Sequence, residues 1–263
     1  MVKKYHFFLL FVVFSRLAIS AEPIELNQYE QSLYGQFGEE GVLAKIFQLI
    51  EPSNRFCVEC GAFDGITGSS TYLLRTQGWK CALFDRTYDI PQWSLHREFI
   101  TSDNINSLLE QYKVPYDLDL LVITLGYNDY YIWQAIDPHY KPSVVLISYN
   151  PFFLPHEDKI VVYHPYYVGD NTTYYGASLL ALFKLGQSKG YSLVHADKGG
   201  GHLFFIRNDL IDRYKLQFSN INSPKKIYSL VAIGSSPINE LRKDPRNRGF
   251  LESEDLINPT MPR

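Results

Sequence analysis

The segment Val58-Glu59-Cys60-Gly61-Ala62-Phe63-Asp64-Gly65, followed by Thr67-Gly68-Ser69-Ser70, limits what this chain can fold into more than any other stretch. Residues 55–60 read as a β-strand that breaks into a glycine-punctuated turn, and the turn opens a helix predicted over 69–77. Gly61 and Gly65 permit a tight turn and a close approach of backbone to ligand. The helix start is expected to leave unpaired N–H groups facing the same spot. About 20 residues further on, a second apolar run, Cys81-Ala82-Leu83-Phe84, ends on Asp85, placed to grip the two hydroxyls of a ribose. Strand, turn, helix, strand and terminal acid together point to a nucleoside-containing cofactor. A plain chain reversal is the competing explanation.

The rest of the chain repeats the strand–helix alternation. Helices are predicted over 37–50, where Val42, Leu43, Ile46, Phe47, Leu49 and Ile50 recur at helical spacing, and over 104–112, 130–136 and 177–189. Strands are predicted over 119–124 and 144–147, both continuous apolar runs of the kind found in central parallel strands. The runs 191–196 and 203–207 read as a closing antiparallel pair. A tyrosine-rich loop is expected over 152–175, and one further strand over 228–233. The expected fold is α/β: a Rossmann-like three-layer sheet, mostly parallel with an antiparallel edge.

The chain's 263 residues can bury a single sizeable core. With 25 basic and 28 acidic residues and no basic stripe, nucleic acid is not an expected partner. The basic cluster at 242–248 reads as a solvated tail. At the start, Lys3 and Lys4 precede an apolar run over 7–14, with small residues at Ala18, Ser20 and Ala21. That is a secretory-signal layout, and the run falls short of the roughly 20 residues of a membrane span. Arg16 interrupts it, which counts against both the signal and its alternative, an uncleaved anchor; the cleaved signal is favoured. Residues 1–21 are therefore read as an export signal, 22–32 as a linker, 33–218 as the α/β domain, and 219–263 as a partly disordered extension.

Several motifs together resemble the FkbM-type methyltransferases and their uncharacterised relatives. They are Gln36-Phe37-Gly38-Glu39-Glu40-Gly41-Val42, the Val58–Gly65 segment, Asn104-Ile105-Asn106-Ser107-Leu108-Leu109 and Asp117-Leu118-Asp119-Leu120-Leu121. Asn128-Asp129-Tyr130-Tyr131-Ile132-Trp133, Tyr149-Asn150-Pro151, Ser178-Leu179-Leu180-Ala181-Leu182, Lys189-Gly190-Tyr191 and Leu203-Phe204-Phe205-Ile206-Arg207 follow in the family's order. The resemblance covers about residues 31–207 and implies a class I methyltransferase-type sheet with S-adenosylmethionine (SAM) as cofactor. On that basis Glu59, Gly61, Asp64, Gly65 and Asp85 would bind the cofactor, Glu59 at its methionine end and Asp85 at its ribose. Asn128 and Asp129 would border a small-molecule or glycan-like acceptor, methylated on oxygen. Helix capping is the alternative role for Asn128 and Asp129.

Departures from the family pattern are as informative. Where relatives carry Asp-Ile-Asp-Gly, this chain has Thr124-Leu125-Gly126-Tyr127, and Ser148-Tyr149-Asn150-Pro151 stands where they end in Glu-Tyr-Asn-Pro. Three acids are missing at strand ends, where such a sheet would place a general base or a substrate anchor. The segment between Asp85 and Phe99 is short, with the expected loss of a helix and a strand that wall the adenine side. Export also removes a protein from the cytosol, where SAM is made. A catalytically inactive binding protein on the same scaffold, with a protein or glycan partner, is the second reading.

Cys57 and Cys60 point to opposite faces of one strand, which argues against a redox pair within the C-x-x-C motif; buried small apolar side chains in neighbouring strands are expected. His156, Glu157, Asp158, His164 and Asp170 lie in the tyrosine-rich loop without metal-ligand spacing, so no metal is expected. The loop is read instead as the rim of a ligand pocket. Asn171-Thr172-Thr173 is a glycosylation sequon, relevant only in a eukaryotic secretory setting.

Overall fold

The computed structural model describes residues 22–167, 169–228 and 244–257. The expected export segment lies outside them, as does the strand read over 228–233 apart from Tyr228. Seven strands form the main sheet in the order β3-β2-β1-β4-β5-β8-β7: Phe56–Cys60 (β1), Lys80–Asp85 (β2), Leu95–Arg97 (β3), Leu120–Ile123 (β4), Val144–Ser148 (β5), Tyr191–Ala196 (β7) and His202–Arg207 (β8). The first five run parallel in doubly wound order, whereas β8 is antiparallel to both β5 and β7. The architecture is the Rossmann-like α/β sheet expected from the sequence. Its antiparallel strand sits one place in from the edge.

Alternation along each strand builds two cores. Val58, Leu121, Ile123, Val145, Ile147 and Phe205 face one side. There they meet α3 (Ile105–Gln111), α4 (Asp129–Ala135) and α5 (Leu179–Ser188). Cys57, Leu120, Val122, Val144, Leu146 and Phe204 face the other side, against α1 (Glu39–Leu49) and α6 (Asn208–Tyr214). Trp133 of α4 fills the first core between the Phe205 ring at 4.9 Å and the Tyr191 ring at 5.9 Å.

Four expectations need correction. The helix predicted over 69–77 shrinks to Tyr72–Thr76 (α2), because polar side chains hold residues 66–71 in an irregular turn. The segment after Asp85, expected to lack both a helix and a strand, does contain a strand, β3, paired with β2; a 3-10 turn at Pro91–Trp93 stands in place of the helix. The tyrosine-rich loop contains Ile160–Val161 (β6), which pairs antiparallel with Phe250–Leu251 (β9). The presumed linker is strapped to the domain, with Ile24 N–H donating to the Gln217 carbonyl at 2.7 Å and Glu30 Oε1 3.0 Å from His195 Nε2.

The C-terminal extension contributes α7 (Pro224–Ile227), β9 and α8 (Ser253–Ile257). Gln134 Nε2 ties α8 to α4 by donating to the Leu256 carbonyl at 2.9 Å. Among the described residues no helix is long and apolar enough to cross a membrane.

The Gln36–Val42 motif is explained by the start of α1. Glu39 accepts the Gln36 and Phe37 N–H groups at 3.1 and 2.7 Å, while Glu40 accepts that of Tyr34 at 2.9 Å. A Cβ on Gly41 would stand 2.0 Å from the Tyr29 carbonyl oxygen, so no side chain fits there. Buried Asp119 does the same for the turn before β1, accepting the Ser53, Asn54 and Arg55 N–H groups at 2.6, 3.0 and 2.6 Å.

Candidate functional site

A cavity of about 220 Å³ opens at the carboxyl ends of β1, β2 and β4, where the strand order reverses. In an open α/β sheet that switch point is where ligands sit. Phe63, Phe84, Phe99, Ile100 and Leu125 give it apolar walls, and Asp85, Glu98 and Asn128 give it polar ones. Three of the residues singled out in the sequence, Gly61, Asp85 and Asn128, therefore meet in one place. Glu59, Asp64, Gly65 and Asp129 do not line it. The volume falls below the roughly 300–1,000 Å³ of ordinary ligand sites.

Gly61 is forced by geometry. Its φ is +91°, and an added Cβ would meet the Thr124 carbonyl oxygen at 2.4 Å. The turn is closed upon itself, contrary to the free N–H groups the sequence led us to expect. Gly61 and Ala62 both donate to the Phe84 carbonyl, at 2.9 and 3.0 Å, and Gly65 donates to Ala62 at 2.8 Å. Phe63 N–H donates to Asp85 at 3.1 Å, while Ile66 and Thr67 donate to Asp64 at 2.8 and 2.7 Å. Burial opposes charge on Asp64, but these hydrogen bonds prevail and hold its carboxyl below the usual carboxylate range. A turn whose donors are spent in this way offers a phosphate little.

Asp85 also accepts from Thr87 and Tyr88, at 2.8 and 3.2 Å, both on Oδ1. Its Oδ2 takes only the Phe63 N–H, so one lone pair there remains for a ligand hydroxyl. Gly65 carries a φ of +77°, yet an added Cβ would meet nothing nearer than 3.6 Å; it serves the turn rather than the ligand.

Glu59 is 1% exposed and lies on the α1 side of the sheet. It accepts the Ser69 hydroxyl at 2.7 Å, the Thr71 hydroxyl at 2.5 Å and the Ser70 N–H at 3.0 Å. Burial raises its carboxyl above the usual range despite those donors. Its oxygens are committed to holding the 69–71 turn.

Asn128 and Asp129 differ from one another in role. Asn128 caps α4 by position only, with no side-chain cap bond. Its Nδ2 donates to the His164 carbonyl at 2.9 Å, and its Oδ1 is buried with no partner. Asp129, 1% exposed, accepts the Leu125 N–H at 2.8 Å and the Ser148 hydroxyl at 2.7 Å on one oxygen, while the other has none. Burial pushes its carboxyl up to about 6. Nearby His202 pairs in register with Ser148 and stands 3.4 Å from Asp197. Burial works against its charge, but the carboxylates of Asp197, Glu39 and Asp129 raise its affinity for a proton.

The tyrosine-rich loop roofs the cavity through Pro165 and Tyr167. Tyr131 and Tyr127 hold it from below, donating to the Val161 and Val162 carbonyls at 2.7 and 3.1 Å. Arg248 clamps it from the C-terminal side. It lies 3.0 Å from Asp170 and 2.8 Å from Asp244, bonds Tyr167 and Thr172, and covers the Tyr174 ring at 4.0 Å. Among the described residues, no group of three or more His, Cys, Asp or Glu is placed to hold a metal.

Several cavity residues gave no sequence signal. Glu98, Phe99 and Ile100 follow a strand of only three residues, too short for alternation to show, and Phe63 lies in the turn after β1, where no periodicity marks it. Neither any protein-family model nor any curated protein sequence matches this chain.

Proposed function

We propose that this chain is a methyltransferase-like protein whose switch-point cavity binds a donor-rich nucleoside, with SAM as the candidate cofactor. One observation carries the reading: the cavity presents two carboxylates and an unpartnered amide oxygen against a single cation, Arg86. Asp85 and Glu98 are carboxylates, and the unpartnered buried Oδ1 of Asn128 calls for a hydrogen-bond donor. Ribose hydroxyls, an amine and a cationic sulfur suit the two carboxylates and the amide oxygen, whereas the phosphates of a dinucleotide would find Arg86 as their one cationic partner in the lining.

Bound there, SAM would supply an electrophilic methyl group. Asp85 and Asn128 would hold it, and the aromatic walls would exclude water. Acceptor oxygens of a small or glycan-like molecule would then be methylated largely by orientation, since in-line transfer can proceed without a strong base. A second reading, binding without transfer, is favoured by Ser148. The residue at that strand end tethers Asp129 instead of presenting an acid.

Calorimetric titration of the full chain with SAM, its demethylated product and ATP tests the proposal. Micromolar binding of the first two, weakened about tenfold by Asp85→Asn and absent for ATP, supports it. No binding by folded protein at millimolar ligand overturns it. Binding without turnover in an acceptor screen selects the second reading.

A further inference from the structure

We propose that Cys81 is a peroxide-reactive thiol resolved by Cys57, forming a cross-strand disulfide between β1 and β2. The two cysteines are direct partners in the parallel register of these strands, so both side chains leave the same face of the sheet. Neighbouring strands lie about 4.8 Å apart, inside the roughly 4.4–6.8 Å Cα separation that a disulfide spans. Cys60, three residues along β1, belongs to the opposite core and cannot compete.

The two thiols are unequal in the way that such chemistry requires. Cys57 is wholly buried, its thiol donating to the Lys80 carbonyl at 3.5 Å. Cys81 is half-buried, its thiol 3.6 Å from the Trp93 carbonyl, and it opens onto a cavity of about 560 Å³ between α2 and the β2–β3 edge. Arg75 lines the same cavity, and its Nε is a buried donor without a partner. The rest of its guanidinium bonds the Gly65 carbonyl and rides 5.1 Å over the Tyr72 ring.

The neighbouring Cys57 thiol, assisted by Arg75, draws the Cys81 thiol below its ordinary range although burial and Glu59 oppose this. The neighbouring Cys81 and burial push Cys57 up. A thiol of lowered proton affinity that shares a solvent-open cavity with a guanidinium and is backed by a second thiol has the features of a peroxide-sensing site.

Hydrogen peroxide is the oxidant. The Cys81 thiolate attacks one peroxide oxygen, the O–O bond breaks, and the departing hydroxide takes a proton to leave as water. The resulting sulfenic acid is then attacked at sulfur by Cys57; the S–O bond breaks and a second water leaves with the Cys57 proton. Cysteine sulfur has lost two electrons in all, and a reducing thiol restores both cysteines by exchange.

Trypsin places Cys57 and Cys60 on the peptide 56–75 and Cys81 on 81–86. Treating the folded full chain with peroxide, digesting it under non-reducing conditions and analysing it by mass spectrometry reads the outcome directly. The linked pair should appear, two hydrogens lighter than the sum, in the parent and in Cys60→Ser. It should vanish in Cys57→Ser, where dimedone traps a sulfenic acid on Cys81. Without peroxide, iodoacetamide should label Cys81 at least about tenfold faster than Cys57 or Cys60, and Arg75→Gln should slow that labelling. Should Cys57→Ser not fold, the parent and Cys60→Ser digests decide alone. Peroxide treatment that leaves 81–86 unlinked, or links it through Cys60, overturns the assignment.

Discussion

Ser148 Oγ donates to Asp129 Oδ1 at 2.7 Å, so the end of β5 is tethered to the start of α4 through a buried carboxylate. The serine stands where the resembled family carries a glutamate. A second carboxylate beside Asp129 would repel it; a hydroxyl holds it.

Asp129 gives a pH dependence of definite sign. Burial lifts its carboxyl from 3.8 to about 6. The folded state therefore binds the proton more tightly than the unfolded chain, and the stability this contributes is present below about pH 4 and lost as pH rises through about 6. At about 1.4 kcal/mol per unit the span is on the order of 3 kcal/mol. Asp129→Asn should flatten this part of the stability profile, as read by denaturant midpoints across the window.

Ser148→Ala removes a donor from the charged form and leaves that oxygen with the Leu125 N–H. The expected loss at neutral pH is about 1.5–3 kcal/mol, with the Asp129 titration moving further upward. Equal loss at all pH values would show that the hydroxyl serves packing alone.

Gly61→Ala puts a methyl 2.4 Å from the Thr124 carbonyl oxygen at a φ of +91°. Because the obstacle is backbone, β1 and β4 must separate at the cavity floor. A loss of at least about 2 kcal/mol is expected, with unchanged denaturant dependence. Gly65→Ala, with ordinary clearance, should lose less.

Arg248→Ala removes the guanidinium shared by Asp170, Asp244, Tyr167 and Thr172. Amide exchange over 169–175 should quicken while the β4 and β5 amides stay protected. Uniform loss of protection would make the clamp part of the global fold.

The sheet was legible because its central strands, Leu120–Ile123 and Val144–Ser148, are apolar except for the terminal Ser148 and bounded by polar turns. Gly61 and Asp85 were legible because a strand-end glycine and a strand-end acid have few uses. What the sequence hides is who accepts from whom. The turn's N–H groups looked free until Phe84, Ala62, Asp64 and Asp85 took them. The pairs β6–β9 and Cys57–Cys81 were hidden for the same reason: strand partnership is a relation between distant segments, and neither segment announces it alone.

The β6–β9 pairing also sets an order of assembly. Ile160–Val161 and Phe250–Leu251 are about ninety residues apart, a loop whose closure entropy must be overcome before the pair is rewarded. On a growing chain, β6 emerges long before its partner exists. The cavity walls formed by β1, β2 and β4 can thus be in place while the roof still lacks its C-terminal fastening, and a ligand arriving during synthesis would meet an open basin rather than a covered one.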